Sequence, residues 1–346
     1  MNNDYNKIRS GAPGFYKQKR GLMEVWGKEA VQFLNGLISN DVAKLEDNAQ
    51  MTAAFPNVQG RLLAMVRVLK QSDKFLFETD EVTHEKVFQN LHRFTFAGDF
   101  FVEDLSEQFE YFEIFNSDFG MPDTDILVFP TKNTTDCFVP KTIAESFEGD
   151  MKESGAIEIS DELYETLRIE NGVPKYGVDM DETTVVLETG IDEAVSFTKG
   201  CYLGQEIIAR IHFRGHVAKK LTGLLLSGSP ASAGGSVSQP EKNSPPFEGG
   251  VAAASADGVV TSEASLLTKE GWRAQRDGVV LSDLSSEDLN LTSPEGKPAG
   301  RVTSITYSPK LDKTIALAYV RYEFLAEGTE LKIGDRTAKV ANFPVL

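Results

Sequence analysis

Cysteine is nearly missing from this chain: 346 residues hold two, Cys137 and Cys201, far apart. That excludes a disulfide framework and makes a reducing, cytoplasmic setting the expectation. No apolar run approaches the length of a membrane-spanning helix. The opening residues, Met1 to Tyr5, lack the apolar core of a signal peptide. Basic residues are also short, with 35 Lys and Arg against 52 Asp and Glu, a net charge of −17. A large phosphate-binding face needs a basic footprint, so neither direct nucleic-acid binding nor an anionic membrane is expected. There is no Walker loop, no GxGxxG and no nucleophile elbow. Of four histidines, His212 and His216 have a ligand-like spacing near Cys201, but Gly215 and the lack of a fourth ligand count against a metal site.

What is present is ordinary globular material, 41% hydrophobic and 25% charged, long enough for two or three domains. Ala30, Phe33, Leu34, Leu37 and Ile38 form one helical stripe, predicting a helix over 28–38 that stops at Ser39-Asn40-Asp41. Strands are expected at 53–55, 62–69 and 74–79, with a turn at Pro56 to Gly60. A helix is expected over 80–94, strands over 109–115 and 126–129, and a helix over 162–170 capped by Ser160 or Asp161. The aromatic cluster Phe94, Phe96, Phe100, Phe101 reads as core. Ser227 to Gly258, rich in Ser, Gly, Ala and Pro, reads as a mobile surface insert. Beyond it, strands are expected at 300–308 and 316–321, with two more punctuated by Gly328 and Gly334. Alternating strands and helices give an α+β class with helices against mixed or antiparallel sheets.

Chemistry concentrates at Lys199-Gly200-Cys201-Tyr202-Leu203-Gly204-Gln205-Glu206. Gly200 and Gly204 allow a tight loop, and a helix can begin at Gln205. Cys201 then sits just before a helix start, beside Lys199, and both favour a thiolate. The alternative is that Cys201 is a small buried hydrophobe. Lys199 and Arg210 could neutralise an anionic ligand or partner, or be surface charges.

The octet resembles the signature of the YgfZ family of folate-binding proteins that support iron–sulfur enzymes, within the aminomethyltransferase (glycine cleavage T-protein) superfamily. Phe33-Leu34-Asn35-Gly36 with Asn40-Asp41, the run Arg168-x-Glu-x-Gly-x-Pro-x-x-Gly-x-Asp179, and the Gly300-x-x-Thr-Ser and Ala316-Leu-Ala-x-Val-Arg elements also match. The resemblance implies two related α+β lobes over 1–215 and a C-terminal β-barrel over 216–346, carrying the insert 227–258. It implies tetrahydrofolate or a derivative around a central hole. Glu188 would accept two donors from the pterin, with Tyr176 alongside and Arg168 and Arg61 as further contacts. Cys201, with Lys199, would be the functional thiol, transiently holding an iron–sulfur species. Gly200, Tyr202, Gly204, Gln205, Glu206 and Arg210 complete the motif loop. Folate and iron–sulfur client or assembly proteins are the implied partners, some clients modifying tRNA, and the chain is expected to be monomeric. Where the aminomethyltransferases carry an acidic pair, this chain has Ala64 and Met65, so general acid–base help is missing. That points away from aminomethyl transfer; a folate-dependent one-carbon transferase and a pure interaction module are the alternatives. Arg61 and Asp179 each keep a second reading, as a surface arginine and as a carboxylate that holds its own loop.

Overall fold

Alternation along the strands builds a sandwich of two sheets with helices outside. A computed structural model of the chain describes residues 2–96, 98–117, 125–131, 133–227 and 289–342. In chain order the elements are α1 (Asn2–Arg9), β1 (Gly14–Gln18), β2 (Arg20–Trp26), α2 (Ala30–Leu37), β3 (Gln50–Pro56), β4 (Leu62–Gln71), β5 (Lys74–Asp80), α3 (Glu81–His92), β6 (Phe101–Asp104), β7 (Phe109–Phe115), β8 (Leu127–Pro130), β9 (Thr134–Pro140), α4 (Lys141–Glu153), β10 (Ile157–Glu158), α5 (Asp161–Glu170) and α6 (Gln205–Arg214). After α6 come β11 (Lys219–Leu226), β12 (Asn290–Thr292), β13 (Pro298–Ser308), β14 (Lys313–Arg321), β15 (Glu330–Ile333) and β16 (Arg336–Ala341). The first sheet has the order β3-β4-β5-β2-β6, the second β10-β1-β7-β9-β8.

Successive strand residues face opposite sides, and the chain uses both. Phe75 and Phe77 of β5 and Met23 and Val25 of β2 pack against Leu34 of α2 and Val87 and Leu91 of α3. Leu76 and Leu22 point the other way, against Tyr111, Phe129 and Phe138 of the second sheet. Cys137 and Val139 of β9 pack outward with Ala144 and Met151 of α4. The apolar seam between sheets carries a charged strip. Arg67 binds Glu78 and Asp136 and donates to the Tyr111 hydroxyl at 3.0 Å, while Arg20 joins Glu78 and Asp80. Such buried pairs roughly offset their own desolvation; what they add is registry between the two sheets.

The third unit is a closed barrel of order β11-β14-β13-β12-β15-β16. Ala316, Ala318 and Val320 face its core. The alternate residues Ile315 and Leu317 face outward onto Ile169 of α5. Two polar knots fasten barrel to lobes. Glu170, fully buried, accepts from Tyr5 of α1 at 2.6 Å and binds Arg9 and the Ser308 hydroxyl. Asp179 accepts from the hydroxyls of Thr303 and Ser304, both at 2.6 Å, from the Lys175 amide at 2.9 Å and from Arg168 at 2.9 Å.

The α+β lobes with a terminal barrel are as expected. The helix expected over 28–38 is shorter, Ala30–Leu37, and that over 162–170 is capped by Ser160, whose hydroxyl accepts from the Leu163 amide at 3.3 Å. Apart from Ser227, the expected insert 227–258 lies outside the described residues. Among the described residues no helix is long and apolar enough to cross a membrane.

Candidate functional site

The motif loop is held at both ends. Buried Lys199 donates to the carbonyls of Ile38 and Asn40, each at 2.7 Å. These carbonyls lie just past the C-terminus of α2, where a cation is favoured. The Leu203 amide donates to the Gly36 carbonyl at 3.0 Å, and the Tyr202 ring is buried with Tyr176, Leu62, Met65, Val186 and Ile208. Upstream, Asn40 donates to the carbonyls of Thr52 (2.8 Å) and Glu193 (2.9 Å), and Ser39 donates to Ala194 at 2.6 Å. The 36–41 and 193–203 stretches, two separate motifs in sequence, are therefore one clamp. Cys201 lies exposed between the anchors, next to exposed Gly200.

Burial pushes the Lys199 ammonium down to about 8, against the pull of Asp41. Its donors go to backbone carbonyls, not to the thiol, and among the described residues Cys201 makes no hydrogen bond. The expected activation of Cys201 by the neighbouring ammonium is thus replaced by an anchoring role for Lys199. Helix α6 begins at Gln205 behind its cap Gly204, four positions past the thiol. Of the two motif glycines, Gly204 is the one at positive φ, +80°. Gln205 reaches back to the Gly200 carbonyl at 3.4 Å, and Glu206 pairs with Arg210 on the exposed face.

The second group forms around the Gly60 turn. The Leu62 amide donates to the Thr184 carbonyl at 2.9 Å, and the Val186 amide to the Gly60 carbonyl at 3.2 Å. Arg61 bridges Val185 and donates through its guanidinium to the Thr183 carbonyl at 2.5 Å. Glu188 is 7% exposed. Its carboxylate accepts from the Val185 amide at a long 3.4 Å. Burial holds its pKa above the carboxylate range, opposed by Lys219, that amide and Arg61. A buried carboxylate with one weak donor has acceptor capacity to spare, which fits the paired donors of a pterin. Tyr176 donates through its hydroxyl to the Leu62 carbonyl at 3.2 Å and shares an apolar cluster with Val186 and Leu187, the residues just before Glu188. Met65 packs in the same apolar cluster as Tyr176 and Tyr202, whereas Ala64 faces the first-lobe core.

Arg61, Tyr176, Glu188 and the motif loop thus come together, and Arg168 does not join them. Its guanidinium is buried and bound to Glu165, Asp179, the Val173 carbonyl and the Ser304 hydroxyl. With its donors taken by protein, Arg168 is a brace for the Gly172–Asp179 loop rather than a cofactor contact. Asp179 is the carboxylate at the other end of that brace, as its loop-holding reading supposed. His212 stacks on Phe197 at 3.6 Å and His216 on Tyr322 at 3.7 Å, so the two rings go to different aromatic partners. Lys219, whose charge bears on Glu188, was missed. Its signal was the Lys219-Lys220 pair closing a basic run from Arg210 in an acidic chain.

Residues 278–345 match the family model for the glycine cleavage T-protein C-terminal barrel domain. An iron–sulfur cluster assembly factor IBA57 homolog, mitochondrial, of Mycosarcoma maydis is 30% identical over 239 residues, 62% of this chain and 58% of its own length. The tRNA-modifying protein YgfZ of Hamiltonella defensa is 26% identical over 227 residues, 58% of this chain and 66% of its own. The chain therefore spans less than two thirds of the length of either relative. The crystal structure of glycine cleavage system aminomethyltransferase T from Bartonella henselae superimposes with a TM-score of 0.72 at 17% identity, covering 99% of this chain and 89% of that one.

Proposed function

The chain belongs to the aminomethyltransferase superfamily as a YgfZ/IBA57-type member, and on that premise we propose that it binds a reduced folate at Glu188 and supports assembly or repair of iron–sulfur clusters in client enzymes through Cys201. The observation that carries this reading is the exposed thiol on a loop anchored on either side by Lys199 and Leu203. A buried structural cysteine needs no such scaffold; a thiol that meets a partner does. The cluster is cargo in this reading. Four thiolates are usual for a cluster, so a client or a small thiol supplies the rest. Clients that modify tRNA would link the chain to RNA without a basic RNA-binding face. The cytoplasm suits two free cysteines.

Folate here is a ligand that Glu188 orients, with Tyr176 and Arg61 beside it. Met65 has no proton to give or take at the position where the aminomethyltransferases place an acid, so one-carbon transfer is disfavoured. Calorimetric titration of tetrahydrofolate into wild type and Glu188→Ala tests the first half. Binding to wild type that is lost in the variant supports it; no binding to wild type sinks it. Client activity in cells carrying Cys201→Ala tests the second, and full activity there would remove the thiol from the account.

A further inference from the structure

A cavity of about 660 Å³ lies between the loop 177–184 and the outer face of the barrel. The size is that of a small-molecule site. Strand register builds its wall. Tyr319 and Arg321 are two apart on β14, on the face opposite Ala318 and Val320, which enter the barrel core. Arg301 of β13 stands across from Tyr319, and Lys219 of β11 across from Arg321. Lys219, Arg301 and Arg321 line the cavity, and none makes a side-chain hydrogen bond or ion pair among the described residues; Lys219 lies over the Tyr319 ring, 4.7 Å from its centroid.

Three unpaired cations on one wall are unexpected in a chain of net charge −17. The carboxylates that share the cavity are already engaged. Asp179 is held by Arg168, Thr303 and Ser304, and Asp181 by Thr183. A second observation points to a ligand. Tyr319 is 7% exposed, and its hydroxyl, close to Thr184, makes no hydrogen bond of ordinary geometry. A buried hydroxyl left unmatched is costly unless something meets it.

We infer that this cavity binds an oligo-γ-glutamyl chain, with Arg301, Arg321 and Lys219 pairing its successive carboxylates and the Tyr319 hydroxyl donating to one of them. The inference rests on the folate reading for its source: Lys219 and Tyr319 both sense the charge of Glu188, so the cavity adjoins the proposed pterin site. The cations stand on three neighbouring strands, β11, β14 and β13. That suits a row of single charges better than one dense phosphate. Lys199 and Arg210, the sequence candidates for an anionic ligand, are engaged elsewhere.

The test compares tetrahydrofolate monoglutamate, its pentaglutamate and free penta-γ-glutamate by anaerobic calorimetry, with wild type, the double variant Arg301→Ala/Arg321→Ala, and Tyr319→Phe. Wild type should bind the pentaglutamate about tenfold tighter than the monoglutamate, and the double variant should lose that margin. Tyr319→Phe should weaken pentaglutamate binding while leaving the free protein as heat-stable as wild type or more so, a combination that a purely structural hydroxyl would not give. Equal affinity of the two folates for wild type overturns the inference and leaves the folate reading standing. If neither folate binds, that reading fails, and the free chain decides: binding that depends on Arg301 and Arg321 upholds the site, and no binding removes it.

Discussion

Gly204 and Gly60 stand back to back. A side chain on Gly204 would meet the Asn57 carbonyl oxygen and lie 3.1 Å from the Gly60 nitrogen, and a Cβ on Gly60 would sit 3.2 Å from Ile207. Both have positive φ, +80° and +70°. The motif loop and the Gly60 turn therefore meet through backbone, and this close approach joins the thiol's loop to the elements that carry Arg61 and Glu188. Gly204→Ala combines a left-handed alanine with a backbone collision. It should cost about 2–4 kcal/mol in denaturant unfolding, whereas Gly200→Ala, which meets nothing within 4 Å, should cost less than about 1 kcal/mol.

Lys199→Ala removes both anchors on the α2 carbonyls. Hydrogen exchange at the Leu203 amide should speed up by about tenfold, because its bond to Gly36 loses its neighbour's support. Global stability should fall by no more than about 1–2 kcal/mol, since the variant also sheds a desolvated charge. Unchanged exchange at Leu203 would show that the loop holds itself.

The two thiols should separate cleanly under a thiol reagent. Cys137 is buried, and burial, helped by Asp136, pushes its pKa far up; Cys201 is exposed. At pH 8 one thiol should react in the native protein and two after unfolding, and Cys201→Ala should leave the native protein inert for as long as it stays folded.

The seam between sheets predicts a pH effect. Burial, then the charge of Asp136, raises Glu113 from 4.5 to about 8. The folded state holds this proton more tightly than the unfolded chain, so this group's contribution to stability falls as pH rises from about 4.5 to about 8. Glu113→Gln, which stays neutral, should match wild type at pH 4 and exceed it at pH 8.5 by roughly 2 kcal/mol, less than the full shift because the side chain is partly exposed. Urea midpoints at the two pH values check the sign.

Elements with a clean period were legible from the residues alone. β7 was expected at 109–115 and is found there, because its alternation serves two sheet faces. β1 and β2 were not read as strands. β2 has Gly21 inside it, which weakens a strand signal, and that glycine is there for a tertiary reason: a Cβ would run into the His84 ring. Helix α4 did carry a signal, with Ile143, Ala144, Phe147 and Met151 at helical spacing. Resemblance brought Glu188, Tyr176 and Arg61 to one region, but it misread Arg168, since nothing local tells a buried brace from a ligand contact. Lys219, Arg301 and Arg321 lie on three strands of the barrel, and their meeting depends on register that no single stretch of sequence displays.

The knot at Glu170 has a consequence for how the chain is made. Its carboxylate is shared by Tyr5 and Ser308, which leave the ribosome about 300 residues apart. During synthesis the lobes can form around α1 and α5 while one face of Glu170 stays wet, because the barrel strand that seals it, β13, follows both in the chain. Closure of the joint therefore waits for β13, and until that strand is made Glu170 is an unsealed buried carboxylate between lobes and barrel.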